Sequence, residues 1–237
     1  MCEHSVYVPG LLKGGTVLDL GANKGNFGAA VRAECPVAVI SIEANPILAE
    51  QLRHQGGRVI ECSVGAASGS AEFHVAYNDE ASSLRTPSGV GAHLVVKETM
   101  AVEVKSLEAI LRENDIHDVA CVKLDIEGAE TDVLMSLGSF ATQIAPQWTV
   151  EFHDDAEFKL CTAAEVDVAL KCMRSAGFSI LVRNWPARTN VLCLDRNALS
   201  IGLQDWFWLK LRYQYLALLW RKYLWLRDYI VWVWTRR

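Results

Sequence analysis

An apolar strand that runs into a glycine turn and then a helix of small residues constrains this chain more than any other feature. It is TVLDLGANKGNFGAAVRAEC, residues 16–35. Two further apolar runs follow, VAVISIE (37–43) and RVIECSV (58–64). Between them lies PILAEQLRHQ, with Pro46 at a first helical position and Gly56–Gly57 as its stop. This β-α-β-α-β rhythm predicts a parallel sheet with right-handed crossovers.

The chain continues with AEFHVAY and AVEVKSL, an alternating strand pair around the polar loop NDEASSLRTPSGVGAH (78–93). A helix is expected at 106–114 and buried strands at VACVKLDIE (119–127) and PQWTVEFH (146–153). Thr162 and Glu165 form a capping box for AAEVDVALKCMRSA, which Gly177 ends. FSILVRN and RTNVLCLD then form a hairpin around Trp185–Pro186. The fold class expected is α/β: a Rossmann-like core of about seven strands, mostly parallel, closed by an antiparallel hairpin. The main domain spans 1–198, and 199–237 form a basic, Trp-rich helical tail.

At 237 residues and 51% hydrophobic content, the chain holds one sizeable domain with a real core. Of the net charge of −5, residues 199–237 carry seven Lys/Arg against two acids, a net of +5, which leaves −10 on the body. An acidic body with a basic tail does not suit nucleic acid. The seven cysteines contain no C-x-x-C pair and mostly sit in apolar runs, which predicts reduced, structural thiols in a cytoplasmic protein. No signal peptide is visible in MCEHSVYVPG.

The glycine turn is selective about cofactors. A dinucleotide fingerprint would need glycines at 21, 23 and 26, where the chain has Gly21, Asn23 and Asn26; a phosphate loop would close on G-K-[ST]. Asp19, just before the turn, would repel a pyrophosphate but suits a cofactor with an ammonium group. Glu43, ending the second strand, is placed to accept from two ribose hydroxyls. S-adenosyl-L-methionine needs both acids.

VLDLGANKGNFG (17–28), IEANP (42–46), VKLDIEGAE (122–130) and VEFH (150–153), with ASSL (81–84) and VEVKSLEAIL (102–111), make the chain resemble the FkbM-type class I methyltransferases over about residues 10–197. Lys24 departs from the resemblance, since the family often has an apolar residue there. The resemblance implies O-methylation of hydroxyls on sugars or polyketide-like products, with Asp19, Gly21, Asn23 and Glu43 at the cofactor and Asp125 and Glu127 near the reacting groups. Ser63, in the third strand, joins the cofactor-binding set.

Asp125 and Glu127 follow a strand end, where ligands of parallel sheets sit. With His153 they are the candidate bases. Glu130 suits a first helical turn on dipole grounds, and Lys123, which points inward or outward along its strand, could as easily be a core-edge lysine snorkelling to water. Asp125, Glu127 and His153 could also hold a divalent metal, but an Asp-x-Glu spacing with a distant His is nonspecific, so no metal is expected. His4, His54, His74, His93 and His117 read as surface residues.

Residues 205–237 hold six of the eight tryptophans, flanked by Lys and Arg and with no uncharged run of spanning length. This suits a helix lying in a membrane interface, or one that packs on the body or on a second copy in a homo-oligomer. The function expected is O-methyl transfer to a sugar, glycan or glycolipid by an enzyme peripheral to the cytoplasmic face of a membrane. The alternatives are an enzyme for a soluble natural product that docks on a partner through the tail, and a non-catalytic subunit of this fold.

Overall fold

The structure is a computed structural model that describes residues 4–76, 96–154, 160–182 and 190–216. The whole polar loop 78–93 with its segment ASSL and His93, the turn at Trp185–Pro186, Cys2 and the tail beyond 216 lie outside the described residues.

Seven strands form the main sheet, in the order β3-β2-β1-β7-β8-β10-β9. They are β1 Thr16–Leu20, β2 Ala38–Glu43, β3 Arg58–Glu61, β7 Val119–Leu124, β8 Gln147–Glu151, β9 Ser179–Val182 and β10 Asn190–Leu194. The first five pair in parallel, and β10 lies antiparallel to both β8 and β9. This is the expected α/β fold, a mostly parallel seven-stranded sheet with a closing antiparallel hairpin. The chain winds outward from β1 through β2 to β3, then returns to β7 on the other side of β1. The reversal places a crevice between the carboxyl ends of β1 and β7.

The helices start and stop where local chemistry dictates. Pro46 opens α2 (Pro46–His54), with the Asn45 side chain accepting from the Ile47 N–H at 3.0 Å. Thr162 and Glu165 form the reciprocal capping box of α6 (Ala163–Ser175), and Gly177 follows in the left-handed region.

One expected strand is divided. The run RVIECSV leaves the main sheet after Glu61, and Ser63–Val64 becomes β4, paired in parallel with Val104–Lys105. β4 joins β5 (Gly69–Ala76) and β6 (Val96–Lys105), the expected antiparallel pair, in a separate three-stranded sheet. Apolar patterning cannot show this division, because one apolar run covers both halves, with Val59 and Ile60 half-buried in β3 and Cys62 and Val64 buried beyond it.

The largest core fills one face of the main sheet, where Leu124 and Trp148 meet Leu134 of α4 (Glu130–Leu137) and Met173 of α6. Each is 0% exposed, and such burial stabilises by about 1.5–3 kcal/mol per large apolar side chain. On the other face, Phe27 and Val31 of α1 (Asn26–Glu34) cover Val17 and Cys121. The five described cysteines other than Cys172 are buried and all six are free thiols, which agrees with a structural role.

The start of the tail docks on the body. Trp206, Leu209 and Tyr213, from α7 (Leu203–Lys210) and the π-turn after it, pack with Tyr7 on Leu181, Leu192, Leu194 and Ile201. The Trp206 ring lies between the Arg196 guanidinium at 5.3 Å and the Lys210 ammonium at 5.4 Å. Leu203, Phe207 and Trp208 remain exposed.

Candidate functional site at the carboxyl ends of the central strands

The turn after β1 is held by its neighbours on both sides. Gly21 and Ala22 donate their N–H groups to the Ile42 carbonyl at 3.0 and 3.1 Å. Gly21 has φ +74°, and a Cβ there would run into the Asp125 carbonyl oxygen, so only glycine fits between the two strand ends. Asn23 is also left-handed, at φ +50°, and donates its N–H to Glu43 at 2.8 Å. The second Glu43 oxygen accepts from the Asn45 N–H, also at 2.8 Å. Glu43 is therefore a buried, oriented carboxylate rather than a solvated strand end. Burial raises its pKa; the two backbone donors and Lys123 oppose the rise.

Lys123 does not reach water. Its ammonium donates to the Gly21 carbonyl at 2.6 Å and lies 3.3 Å from Asp19 and 3.2 Å from Asp125. Two carboxylates and a carbonyl replace the water that a snorkelling lysine would seek. Burial alone would lower the Lys123 pKa, but Asp125 and Asp19 outweigh it and hold the amine charged. Asp19 is 0% exposed and sits behind the glycine turn, so the chain itself supplies the ammonium that this acid faces. Burial raises the Asp19 pKa and Lys123 opposes that.

The stretch after β7 is a tight, strained turn. Glu127 has φ +56° and Gly128 φ +103°. Glu130 accepts from the Ile126 N–H at 2.9 Å and the Gly128 N–H at 3.0 Å, which clamps the turn; its role is structural, through these bonds as well as its place in the first turn of α4. His153 meets Glu130 at 3.4 Å through Nδ1, and Glu127 at 3.3 Å and Asp125 at 3.7 Å through Nε2. Burial disfavours the imidazolium, but the bond to Glu130 and the charges of Glu127 and Asp125 raise His153 well above its ordinary value. His153 is therefore a buried cation and a poor proton acceptor.

The two cleft carboxylates are driven apart. Burial would raise Asp125, but Lys123, His4 and His153 hold it well below the usual range. Glu127 is pushed up to about 8 by burial and by Asp125, Glu130 and Glu151, with His153 opposing.

His4 is not a surface residue. Its side chain is 6% exposed, and Nε2 lies 3.2 Å from Asp125 and 3.4 Å from Glu151. The segment before β1 crosses the sheet to reach these strand ends, with Tyr7 donating its N–H to Gln147 at 2.9 Å. Lys123, His4 and Glu151 are the residues that sequence reasoning missed or misplaced. Lys123 alone had a local signal, its strand position between the partners Asp19 and Asp125.

Gly21, Asn23, Glu43, Ser63, Asp125 and Glu127 line one open cleft at the strand reversal. Asp19 lies beneath it and His153 behind Glu127. Cys62 also lines the cleft, its thiol pushed up to about 11 by burial and so inert at neutral pH.

The FkbM methyltransferase domain matches residues 19–180, the stretch that contains all eight of these site residues. The chain belongs to the FkbM methyltransferase family. Among solved structures, this family member is similar to a methyltransferase FkbM from Methylobacillus flagellatus KT, at 16% identity, TM-score 0.46, 76% of this chain and 43% of that one. It thus spans less than half of that protein's length. It is also similar to the fibrillarin pre-rRNA processing protein of Methanococcus jannaschii, at 14% identity, TM-score 0.45, 80% of this chain and 68% of that one. A third likeness is to a TehB-like SAM-dependent methyltransferase from Corynebacterium glutamicum, at 11% identity, TM-score 0.37, 81% of this chain and 88% of that one. No curated protein matches the sequence.

Proposed function

We propose that this chain transfers a methyl group from S-adenosyl-L-methionine to a hydroxyl group, on a sugar of a glycan or glycolipid presented at a membrane surface. The observation that carries the reading is the shared cleft, with Glu43 at the end of β2 and Asp125 and Glu127 beyond β7 opening onto one space.

The residues present fit the cofactor. Glu43 offers an oriented carboxylate for ribose hydroxyls, and Asn23 lines the cleft with a buried Oδ1 that has no hydrogen-bond partner among the described residues. Gly21 and Ser63 complete that wall, while Asp19 acts from below through Lys123. The cofactor supplies a methyl group activated on a sulfonium. The protein's work is then to align an acceptor oxygen and remove its proton. Asp125, held ionised by Lys123, orients the acceptor hydroxyl. Glu127, with a pKa near the working range, takes the proton. His153 holds Glu127 in place and does not itself accept.

The membrane part of the reading is supported by Phe207 and Trp208, exposed on α7, and by the aromatic, basic sequence that follows. Among the described residues no helix is long and apolar enough to cross a membrane. Calorimetric titration with S-adenosylmethionine, followed by transfer of labelled methyl to fractionated glycans and glycolipids, tests the proposal. A folded chain that binds no cofactor overturns it, and label found on nitrogen or carbon removes the O-methyl part.

A further inference from the structure

Beside the cleft, three side chains from distant parts of the chain turn donor atoms toward one point. They are His4 Nε2, Asp125 Oδ2 and Glu151 Oε2, all within 4.8 Å of one another. The geometry points to a divalent-cation site formed by His4, Asp125 and Glu151.

Donor spacing fits. A cation held at about 2.1 Å by donors at right angles spaces neighbouring donors about 3 Å apart. His4 Nε2 stands 3.2 Å from Asp125 and 3.4 Å from Glu151. That nitrogen carries at most one hydrogen, which can point at only one of the two carboxylates; a cation between them serves both. The other ring nitrogen meets the Thr149 hydroxyl at 3.4 Å, the kind of outer contact that fixes the orientation of a ligating imidazole.

An independent observation comes from the next strand. Asn190 lies directly opposite Glu151 in the β8–β10 pair, so the two side chains leave the same face of the sheet. Asn190 is 4% exposed, and its Oδ1 has no hydrogen-bond partner among the described residues. A buried neutral oxygen on the residue paired with Glu151 is a fitting fourth donor.

A second grouping, Asp125, Glu130 and His153, is a poorer candidate, because both Glu130 oxygens already accept from backbone N–H groups; in the first, Asp125 Oδ2 is shared with the Lys123 ammonium at 3.2 Å. One imidazole with carboxylate and amide oxygens suits Mn²⁺ or Mg²⁺ more than a thiolate-loving metal. Because Asp125 also lines the cleft, a remaining coordination position can take the acceptor's hydroxyl oxygen. That last step rests on the proposed transferase reading; the cation site does not.

The test uses the full chain and Mn²⁺. Titration followed by the free Mn²⁺ electron paramagnetic resonance signal should show one ion bound per chain, and pulsed spectra should show imidazole nitrogen coupling. His4→Ala should lose that coupling, and His4→Ala and Glu151→Gln should each weaken uptake about tenfold or more. Should either variant fail to fold, the nitrogen coupling of the wild-type chain decides. No uptake by folded wild-type protein overturns the site, as does uptake without nitrogen coupling or with unchanged affinity in both folded variants. S-adenosylmethionine affinity, measured on the same samples, reports separately on the transferase reading.

Discussion

The Lys123 ammonium stands 3.3 Å from the Asp19 carboxylate, and both side chains are buried, at 4% and 0% exposure. This pair ties the strand beneath the glycine turn to the strand that ends in the cleft carboxylates, since Lys123 also reaches Asp125.

Lys123→Met should therefore strand the buried Asp19 and half-buried Asp125 carboxylates and destabilise the fold by about 3–5 kcal/mol, as when one partner of a buried pair is removed. Asp19→Asn in the same chain should recover part of the loss. Urea unfolding of the single and double variants measures the coupling; additive losses would show that the pair does not act as a unit.

Stability should fall as pH rises from about 5 to 8. The folded chain keeps the Glu127 proton up to about 8, whereas the unfolded chain loses it near the ordinary 4.5, so stability is full below 4.5 and declines through that window. His153 acts in the same direction: its raised pKa stabilises below the ordinary 6.5 and fades as pH climbs through the folded value. Asp125, held low, stabilises above its ordinary 3.8 and matters only in acid. Glu127→Gln should flatten the slope and be more stable than wild type at pH 8.5 by about 4–5 kcal/mol. Unfolding at pH 5.5 and 8.5 checks both the sign and the size.

Binding and chemistry should separate between the two walls of the cleft. Glu43→Gln removes a charged acceptor and should weaken S-adenosylmethionine by about 1.5–3 kcal/mol. Asp125→Asn and Glu127→Gln should keep most of that affinity yet lose turnover by about 10² or more. Calorimetry and single-turnover methyl transfer on the same samples distinguish them, and retained turnover in Glu127→Gln would move the proton-accepting role elsewhere.

Where the tail is cut should matter. A chain ending at Leu216 keeps Trp206, Leu209 and Tyr213 on the body and should melt as wild type, but lose sedimentation with anionic vesicles. A chain ending at Gly202 uncovers Leu181, Leu192, Leu194 and Ile201 and should lose about 2–4 kcal/mol as well. If the longer truncate still binds vesicles, the aromatic sequence after 216 is not the membrane element.

The sequence alone determined what neighbouring residues decide among themselves. Gly21 at the strand end, Pro46 and Asn45 at a helix start, the Thr162–Glu165 box and the Gly177 stop all work within a few residues, so their spacing shows them. The order of apolar runs likewise carried the parallel sheet and its hairpin, and placed Glu43, Asp125 and Glu127 at strand ends that share a cleft. Only the tertiary structure decided which charges meet. His4 lies 121 positions from Asp125 in the chain, and no local pattern links them. Lys123 reads as a water-seeking lysine until Asp19 and Asp125 are seen on either side of it. The division of residues 58–64 between two sheets and the docking of Trp206 were equally hidden. The physical reason is common to all four. Burial and pairing depend on what the fold brings up from elsewhere, whereas turns and caps depend on chemistry the chain carries locally.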